Sequence, residues 1–247
     1  MELKDKVALI TGAGSGFGEA IARAYAARGA RVVLVDLRID EAERVAADLG
    51  GHAIAIQADV ADGAAVRAAV EVAAKTYGAP HIVVNNAGYT HRNGSLLDVD
   101  EVTFDRVFAV NVKSIYHMVQ AVATAMRDNG GGVMLNIGSV AGIRPRPGLV
   151  WYSASKGTVS LLSKALAVEL APWKIRVNTI CPVLAITGMA ADFMGGEDTP
   201  EIRARFLGTI PLGRFCDTSD VAQAAVYLAE ADFVTGIELP VDGGRAI

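Results

Sequence analysis

Cysteine is scarce in this chain of 247 residues, which contains only Cys181 and Cys216. Two cysteines cannot form the disulfide framework of a small secreted domain or the thiolate cluster of a Cys-rich metal site. We therefore expect both side chains to pack as small apolar groups, and we expect no metal site.

An excess of positive charge is also lacking. The chain has 23 Lys and Arg against 27 Asp and Glu, which gives a formal net charge of −4. The isoelectric point is about 5.6. Nucleic-acid binding depends on clustered Lys and Arg, whereas the basic residues here are scattered along the chain. A nucleic-acid partner is therefore not expected.

Long hydrophobic runs are missing as well. No apolar stretch approaches the ~20 residues that a membrane-spanning helix needs. The first residues, Met1–Lys6, alternate in charge and lack the apolar region of a signal peptide. The sequence therefore predicts a cytoplasmic protein with no membrane partner.

What the chain does contain is a regular alternation of short apolar runs and longer helical patterns, with 52% hydrophobic residues overall. Continuous Val/Ile/Leu runs are typical of parallel strands that are buried on both faces. The predicted strands are Val7–Thr11, Arg31–Asp36, Ala53–Gln57, Ile82–Asn85, Val133–Ile137, Arg176–Ile180 and Ile237–Val241. The predicted helices are Phe17–Arg28, Ile39–Leu49, Asp62–Tyr77, Glu101–Asp128, Tyr152–Leu170 and Ser219–Ala229. This order predicts an α/β fold with a doubly wound, seven-stranded parallel sheet in three α/β/α layers, as a single domain over residues 1–247.

One segment departs from this rhythm. Pro182–Gly213 is long and rich in Gly, Met, Pro and Thr, and it lies between the sixth strand and the last helix. Long inserts of this kind are often active-site lids. We expect a substrate lid over about residues 183–213, and a disordered surface loop is an equally good interpretation of the composition.

A glycine-rich turn follows the first predicted strand and begins the first helix. The stretch Thr11–Gly18 has the spacing G-x-x-x-G-x-G, and its residues Gly12, Ser15, Gly16, Phe17 and Gly18 are candidate cofactor contacts. Glycines allow a tight turn and a close approach of the main chain to a pyrophosphate at a helix N-terminus. In this strand-turn-helix context the pattern predicts a dinucleotide site.

The second predicted strand ends at Asp36, where a carboxylate is suited to bind both ribose hydroxyls of an adenosine. The same carboxylate repels the phosphate of NADP, so we expect NAD. Leu37 adds no charge, whereas Arg38 leaves a phosphate contact open as the alternative.

Two further strand ends carry candidate cofactor contacts. Asp59 and Val60 end the third strand, and Asn86, Ala87 and Gly88 follow the fourth. Small residues there would let a cofactor lie across the carboxyl ends of the strands. Ordinary turn chemistry explains the same residues equally well.

Tyr152 and Lys156 lie one helical turn apart, so both side chains point the same way. A nearby ammonium favours the phenolate and lowers the pKa of a tyrosine toward the neutral range. The pair alone is also compatible with a surface tyrosine and a solvated lysine. Ser139 and Asn111 have ordinary alternatives too, as a strand-end turn residue and as a buried asparagine bonded to main chain.

Taken together, these motifs resemble the short-chain dehydrogenase/reductase family over essentially the whole chain, from the glycine turn to Leu239–Gly244. The resemblance implies a Rossmann fold and a catalytic tetrad of Asn111, Ser139, Tyr152 and Lys156. In that tetrad Tyr152 is the general acid/base, and Lys156 lowers its pKa and holds the nicotinamide ribose. Ser139 binds the substrate oxygen, and Asn111 helps to hold a proton-relay water.

The resemblance also implies cofactor contacts by Pro182 and Thr187 after the sixth strand. This chain has Val183 where the family usually has a glycine, which puts the local main-chain geometry in doubt. The expected activity is NAD-dependent interconversion of a secondary alcohol and a ketone, on a small polar substrate such as a polyol, sugar or hydroxy acid. The alternatives are a 3-oxoacyl-thioester reductase that uses NADPH, and a dinucleotide-binding regulator without catalysis.

The sequence defines the substrate-binding part of the predicted site less well than the cofactor-binding part. His91, Arg92, Arg144, Arg146 and Trp151 are expected near the pocket, and of these Arg92, Arg144 and Trp151 are the candidate substrate contacts. Arginines there suit an anionic substrate such as a carboxylate, phosphate or sulfonate. The alternative is that they are solvated or pair across a subunit interface, since the family resemblance implies a homotetramer.

Overall fold

Seven parallel strands form one sheet in the structure, a computed structural model that describes residues 1–186, 188, 190–195 and 199–247. The strands are β1 Val7–Thr11, β2 Arg31–Asp36, β3 Ala53–Gln57, β4 Ile82–Asn85, β5 Gly132–Ile137, β6 Ile175–Pro182 and β7 Glu238–Val241. Their order is β3-β2-β1-β4-β5-β6-β7, and all six neighbouring pairs are parallel. The predicted doubly wound fold is confirmed.

Helices cover both faces of the sheet. Their bounds are α1 Gly16–Ala26, α2 Ile39–Leu49, α3 Gly63–Tyr77, α4 Glu101–Phe108, α5 Ser114–Asp128, α6 Val140–Ile143, α7 Val150–Leu170, α8 Ala190–Met194, α9 Pro200–Leu207 and α10 Thr218–Glu230. No helix among the described residues is long and apolar enough to cross a membrane.

The central strands are apolar on both sides because each side faces a layer of helices. In β1, Ala8 and Ile10 belong to the core beneath α1, α2 and α10, whereas Val7 and Leu9 belong to the core beneath α3, α5 and α7. All four side chains are at most 2% exposed. Burial on both faces explains why the strand sequences are continuous apolar runs rather than alternating ones.

The long helix that the sequence predicts over Glu101–Asp128 is divided. A π-helical turn, Ala109–Lys113, separates α4 from α5. The Ser114 hydroxyl, at the start of α5, donates to the Val110 carbonyl of the turn at 2.6 Å, and the Asn111 side chain bonds to main chain outside the helix. Hydropathy periodicity predicted one helix because the apolar stripe continues through the turn.

The chain reverses its direction of winding at β1, which pairs with β2 on one side and with β4 on the other. A crevice opens at the carboxyl ends of the strands at such a point. The short helices α8 and α9 lie within the segment Pro182–Gly213 that the sequence sets apart.

Candidate active site

A cavity of about 830 Å³ lies along the carboxyl ends of the strands. Most of the predicted site residues line it. These are Gly12, Ser15, Gly16, Phe17, Asp36, Leu37, Asp59, Val60, Asn86, Ala87, Gly88, Ser139, Arg144, Tyr152, Lys156 and Pro182. Gly18, Asn111, Arg92 and Trp151 lie outside the lining, and Thr187 lies outside the described residues.

The glycine turn is closely packed against the end of β4. A Cβ atom on Gly18 would lie 2.2 Å from the Gly12 carbonyl oxygen, so no side chain fits there. Asn86 Nδ2 donates to the carbonyls of Thr11 at 2.8 Å and Gly12 at 2.9 Å. Gly12 itself has φ +62°, a conformation that glycine adopts readily. The turn therefore leaves bare main chain facing the cavity ahead of α1, which fits a dinucleotide pyrophosphate.

Asp36 ends β2 at the edge of the cavity and is 7% exposed. Its Oδ2 accepts a hydrogen bond from the Gly14 N–H at 2.8 Å, and its Oδ1 accepts one from the Arg38 N–H at 3.0 Å. The Arg38 guanidinium is paired with Glu41 at 2.7 Å. Carboxylate oxygens have further lone pairs, so Asp36 can still accept hydrogen bonds from a ligand.

Asp59, at the end of β3, is held by two contacts. Its Oδ2 lies 2.9 Å from Arg106 Nη1 of α4, and its Oδ1 accepts from the Ala61 N–H at 2.9 Å. Burial opposes ionisation of Asp59, but the hydrogen bonds from Arg106 and Ala61 and the Arg106 charge together outweigh burial and hold the pKa of this carboxyl below its usual value. Both residues line the cavity, and Asp59 follows β3, which pairs with the strand β2 that Asp36 ends.

Tyr152 and Ser139 meet at the middle of the cavity. Ser139 caps the short helix α6, where its hydroxyl accepts from the Ala141 N–H at 3.1 Å. Tyr152 lies in the first turn of α7 and is 5% exposed. Burial raises the pKa of Tyr152 to about 12, and a hydrogen bond with Ser139 acts against that rise. The Phe193 ring packs edge-on against Tyr152, with ring centroids 5.0 Å apart.

Lys156 is buried on the same face of α7, and its ammonium donates to the Ile137 carbonyl at 2.8 Å. Burial lowers the pKa of Lys156 to about 8. Its Nζ lies 5.8 Å from the Tyr152 ring centroid. The lowered tyrosine pKa that the sequence predicts is absent, because desolvation of the phenol outweighs any effect of the ammonium at this separation.

Asn111 lies in the π-helical turn, and its side-chain amide makes three hydrogen bonds. Its Oδ1 accepts from the Tyr89 N–H at 2.8 Å, and its Nδ2 donates to the Tyr89 carbonyl and to Ser155 Oγ, each at 2.9 Å. The side chain therefore holds the main chain just after Gly88. A Cβ on Gly88 would lie 3.6 Å from Asn111 Oδ1 and 3.7 Å from Lys156 Nζ, so these residues belong to one site.

The candidate substrate residues are dispersed. Arg92 Nε donates to the Gly195 carbonyl at 2.8 Å, and the Trp151 indole donates to the Leu96 carbonyl at 3.3 Å, both away from the cavity lining. Arg144 lines the cavity, and its Nη1 donates to the main-chain oxygens of Arg245 and Ile247. The expectation that Arg92 and Trp151 face the cavity is therefore not met, because each is bonded to main chain elsewhere.

Several lining residues had no signal in the sequence. Phe193 and Phe206 come from α8 and α9, Arg205 also lies on α9, and Arg245 follows β7. Only the tertiary fold brings these separate segments together. Among the described residues no group of three or more His, Cys, Asp or Glu is placed to hold a metal ion.

The model of the family described as enoyl-(acyl carrier protein) reductase matches residues 12–246. The chain belongs to the short-chain dehydrogenase/reductase family. This confirms the resemblance that the motifs carry.

Members of the short-chain dehydrogenase/reductase family match the chain along nearly its full length. It is 49% identical to a 4-formylbenzenesulfonate dehydrogenase of Comamonas testosteroni, over 100% of both chains. It is 40% identical to a 2-(S)-hydroxypropyl-CoM dehydrogenase of Xanthobacter autotrophicus, over 98% of this chain and 97% of the relative.

Solved structures of short-chain dehydrogenases/reductases agree with the fold. A 3-ketoacyl-(acyl-carrier-protein) reductase from Brucella melitensis, complexed with NADH, superposes with a TM-score of 0.94 at 44% identity, covering 99% of this chain and 100% of the other. The protein is accordingly an oxidoreductase that acts on CH–OH donors and binds a nicotinamide cofactor.

Proposed function

We propose that this enzyme interconverts a secondary alcohol and a ketone, with NAD as cofactor and Tyr152 as the general acid/base. The observation that carries the proposal is the meeting of Ser139, Tyr152 and Lys156 in the same cavity that Asp36 lines. When bound, the nicotinamide supplies the hydride chemistry, accepting hydride from the carbinol carbon or returning it to the ketone.

In this proposal the residues of the chain hold the cofactor and handle the proton. Gly12, Gly18 and the start of α1 would bind the pyrophosphate, and Asp36 would bind the adenosine ribose. Lys156 would hold the nicotinamide ribose. The other predicted contacts that would surround the cofactor are Ser15, Gly16, Phe17, Leu37, Asp59, Val60, Asn86, Ala87, Gly88, Pro182 and Thr187.

Tyr152 donates its proton to the ketone oxygen during reduction and takes the alcohol proton during oxidation, while Ser139 hydrogen-bonds the same oxygen. A pKa of about 12 keeps the phenol protonated at neutral pH, which is the form that reduction requires. We therefore expect the reduction rate to fall, and the oxidation rate to rise, as the pH becomes more alkaline. Asn111 fixes the main chain after Gly88, beside the place where it would help to hold a relay water.

The preference for NAD over NADP rests on charge. A phosphate on the adenosine ribose would meet the Asp36 carboxylate, which is buried and bonded to two main-chain N–H groups. Arg38 is the nearby cation, and its guanidinium is already engaged by Glu41. The solved relative with NADH supports the same preference.

The proposed substrate is a small polar hydroxy compound such as a polyol, sugar or hydroxy acid. The relative that acts on a 2-(S)-hydroxypropyl compound supports a small secondary alcohol. The proposed substrate lid spans about residues 183–213, and it is supported by Phe193, Phe206 and Thr209 in the cavity lining. Buried, unpaired Cys181 and Cys216 support a reducing, cytoplasmic location.

The deciding experiment replaces Tyr152 by Phe, which removes only the acidic hydroxyl. With NAD and a panel of small polar alcohols, kcat/KM should fall by at least ~100-fold, while NADH binding changes by less than about threefold. Tyr227→Phe, on exposed α10, is the matched control and should keep full activity. Turnover that survives in Tyr152→Phe would show that another group moves the proton.

The second candidate is a 3-oxoacyl-thioester reductase that uses NADPH. The likeness to the 3-ketoacyl-(acyl-carrier-protein) reductase favours it. Titration with NADH and NADPH, in the presence of a 3-oxoacyl thioester, separates the two candidates. A clear preference for NADPH and the thioester would overturn both the cofactor assignment and the role of Asp36. NAD binding without turnover of any alcohol or ketone would instead favour a dinucleotide-binding regulator.

Assembly as a homotetramer is also part of the proposal. Leu161 and Val168 are 71% and 79% exposed on one long helix, α7, and Tyr116 is 57% exposed on α5. Large exposed apolar side chains on neighbouring helices favour burial by another subunit. Sedimentation velocity tests this directly, and a monomer at micromolar concentration would contradict it.

A further inference from the structure

Four arginines line the cavity from segments that follow β5, β6 and β7, which lie on the other side of β1 and β4 from Asp36 at the end of β2. Arg144 and Arg146 lie between α6 and α7, Arg205 lies on α9, and Arg245 lies near the C-terminus of the described chain. All four line the cavity that Tyr152 also lines. Residues so far apart in sequence converge here only through the tertiary fold.

Three of these guanidiniums lack an acidic partner. No ion pair between described residues includes Arg146, Arg205 or Arg245. Burial lowers the pKa of Arg146, and the charges of Arg245 and Arg205 lower it further. The protein thus holds three like charges within electrostatic reach of one another, and it does so at a cost.

The Asp242 carboxylate offsets the repulsion only in part. Its charge raises the pKa of Arg245, but burial and the charge of Arg144 together hold that pKa below its usual value. The two carboxylate oxygens of Asp242 also accept main-chain hydrogen bonds from Gly244 at 2.9 Å and Ala246 at 2.7 Å. Arg144 bonds to the main-chain oxygens of Arg245 and Ile247. It therefore positions the segment that carries Arg245, so we assign it a positioning role.

Aromatic rings connect the arginines to the catalytic tyrosine. The Arg146 guanidinium carbon lies 4.3 Å from the centroid of the Phe206 ring, and this stacking fixes the plane of the guanidinium. Phe193 packs edge-on against Tyr152. Because both rings line the cavity, the path from the phenol to the arginines has apolar aromatic walls.

We propose that Arg146, Arg205 and Arg245 form an anion subsite for the substrate. The ligand is a small organic anion whose sulfonate or carboxylate contacts the arginines, whose apolar body lies along Phe193 and Phe206, and whose hydroxyl or carbonyl reaches Tyr152. Guanidinium groups bind such oxyanions through paired N–H donors. This subsite rests on the proposed function, because it presumes that Tyr152 marks the reacting oxygen.

The test compares three secondary benzylic alcohols that differ only in the para group: sulfonate, carboxylate and the neutral sulfonamide. We expect wild-type kcat/KM with NAD to be at least tenfold higher for one of the anions than for the sulfonamide. Arg146→Gln should raise KM for the preferred anion at least tenfold, and it should change kcat/KM for the sulfonamide less than threefold. The better of the two anions identifies sulfonate or carboxylate as the group recognised.

The matched control is Arg67→Gln, an exposed arginine on α3 outside the cavity lining, which should leave all three substrates unchanged. If Arg146→Gln does not fold, Arg205→Gln on the exposed face of α9 takes its place. Equal turnover of the anions and the sulfonamide by wild type overturns the subsite but leaves the proposed function intact. An equal loss of kcat/KM on all three substrates in Arg146→Gln would also overturn the subsite and leave the proposed function intact.

A binding measurement separates failure of the subsite from failure of the enzyme function. The para-sulfonate of the matching methyl ketone should raise the melting temperature of wild type with NADH present, and it should raise that of Arg146→Gln much less. Such stabilisation without turnover of any alcohol supports the subsite and contradicts the proposed function. A change in sedimenting mass in Arg146→Gln, with substrate discrimination unchanged, assigns the arginines to a subunit interface and overturns the subsite.

Discussion

Charged side chains are arranged in opposite ways at the two ends of the cavity, which we call the Asp36 end and the arginine end after Asp36 and after Arg146, Arg205 and Arg245. At the end that contains Asp36, cations lie next to carboxylates: Arg38 pairs with Glu41 at 2.7 Å, and Arg106 pairs with Asp59 at 2.9 Å. Asp36 itself accepts two main-chain hydrogen bonds. The charges at this end are largely balanced within the chain.

At the arginine end the charges repel one another instead. Arg146, Arg205 and Arg245 have no acidic partner in the ion pairs between described residues. Burial lowers the pKa of Arg146, and the charges of Arg245 and Arg205 lower it further. The comparison indicates that the charges at the Asp36 end are largely balanced by neighbouring groups of the chain before any ligand binds. The charges at the arginine end are balanced only when an anion binds there.

Among substitutions in the cavity, we expect the largest effect on kcat/KM at Lys156, which lies between the two ends. Lys156→Met removes the buried ammonium and keeps the length of the side chain. We expect kcat/KM to fall by ~1,000-fold for anionic and neutral substrates alike, because the lysine acts at the reacting centre and not in recognition of the substrate anion. A loss restricted to anionic substrates would show that Lys156 acts with the arginines in binding the anion, and it would contradict the separation of the two ends.

The same variant has a testable effect on stability. The pKa of Lys156 is about 8 in the folded protein, below the ordinary lysine pKa of 10.5 that applies to the unfolded chain, so the folded state binds this proton less readily. Below pH ~8 the wild type bears the full cost of the buried charge, and that cost is relieved as the pH rises toward ~10.5. Melting temperatures of Lys156→Met relative to wild type should therefore be highest near pH 7 and should decline by pH 10. A constant difference would contradict the lowered pKa.

Gly18→Ala should damage the Asp36 end specifically. The new Cβ would meet the Gly12 carbonyl oxygen at 2.2 Å, so the turn must shift. We expect ~100-fold weaker NADH binding by fluorescence titration and a loss of about 2 kcal/mol in the free energy of unfolding. Gly51→Ala is the control, because no atom lies within 4 Å of a Cβ at that position. Unchanged NADH affinity in Gly18→Ala would contradict the assignment of the pyrophosphate site to this turn.

Much of this architecture is predictable from the sequence. Continuous apolar runs such as Val7–Thr11 predict buried parallel strands because burial on both faces dictates their composition. The family motifs also predict that Tyr152, Ser139 and Asp36 line one cavity, as they do. These features follow from local composition and from short spacings along the chain.

Other features are not predictable in this way. The π-helical turn contains Asn111, whose side chain bonds to the main chain of Tyr89, 22 residues away in the sequence. The pKa of Tyr152 depends on burial, which only the packed fold determines, so the sequence predicted the wrong direction. The convergence of Arg146 with Arg205 and Arg245 depends on where α9 and the C-terminal segment lie, and no local pattern encodes it.

Asp36→Asn should change the choice of cofactor without changing the choice of substrate. The amide keeps an acceptor oxygen but loses the charge that repels a ribose phosphate. We expect the ratio of kcat/KM for NAD to that for NADP to fall by roughly 30-fold, whereas preference among anionic and neutral alcohols stays constant. Asp40→Asn, an exposed carboxylate on α2, should leave the ratio unchanged. A shift in substrate preference in Asp36→Asn would mean that the two ends are coupled.

Among these substitutions, we expect the smallest loss of ligand affinity from Arg106→Gln. The size of the loss shows whether Arg106 contacts the cofactor directly. Arg106→Gln removes the partner of Asp59 from an ion pair whose side chains are 37% and 33% exposed. Solvent screens such a pair, which is then worth under ~1 kcal/mol, so NAD affinity should fall by less than about fivefold. The loss should fade at high salt, because screening already weakens the pair there. Arg146→Gln should cost at least tenfold on an anionic substrate, since its partner is the ligand rather than a neighbouring carboxylate. If Arg106→Gln instead cost more than about twentyfold at every salt concentration, Arg106 would contact the cofactor directly, and the Asp36 end would be as dependent on its ligand as the arginine end.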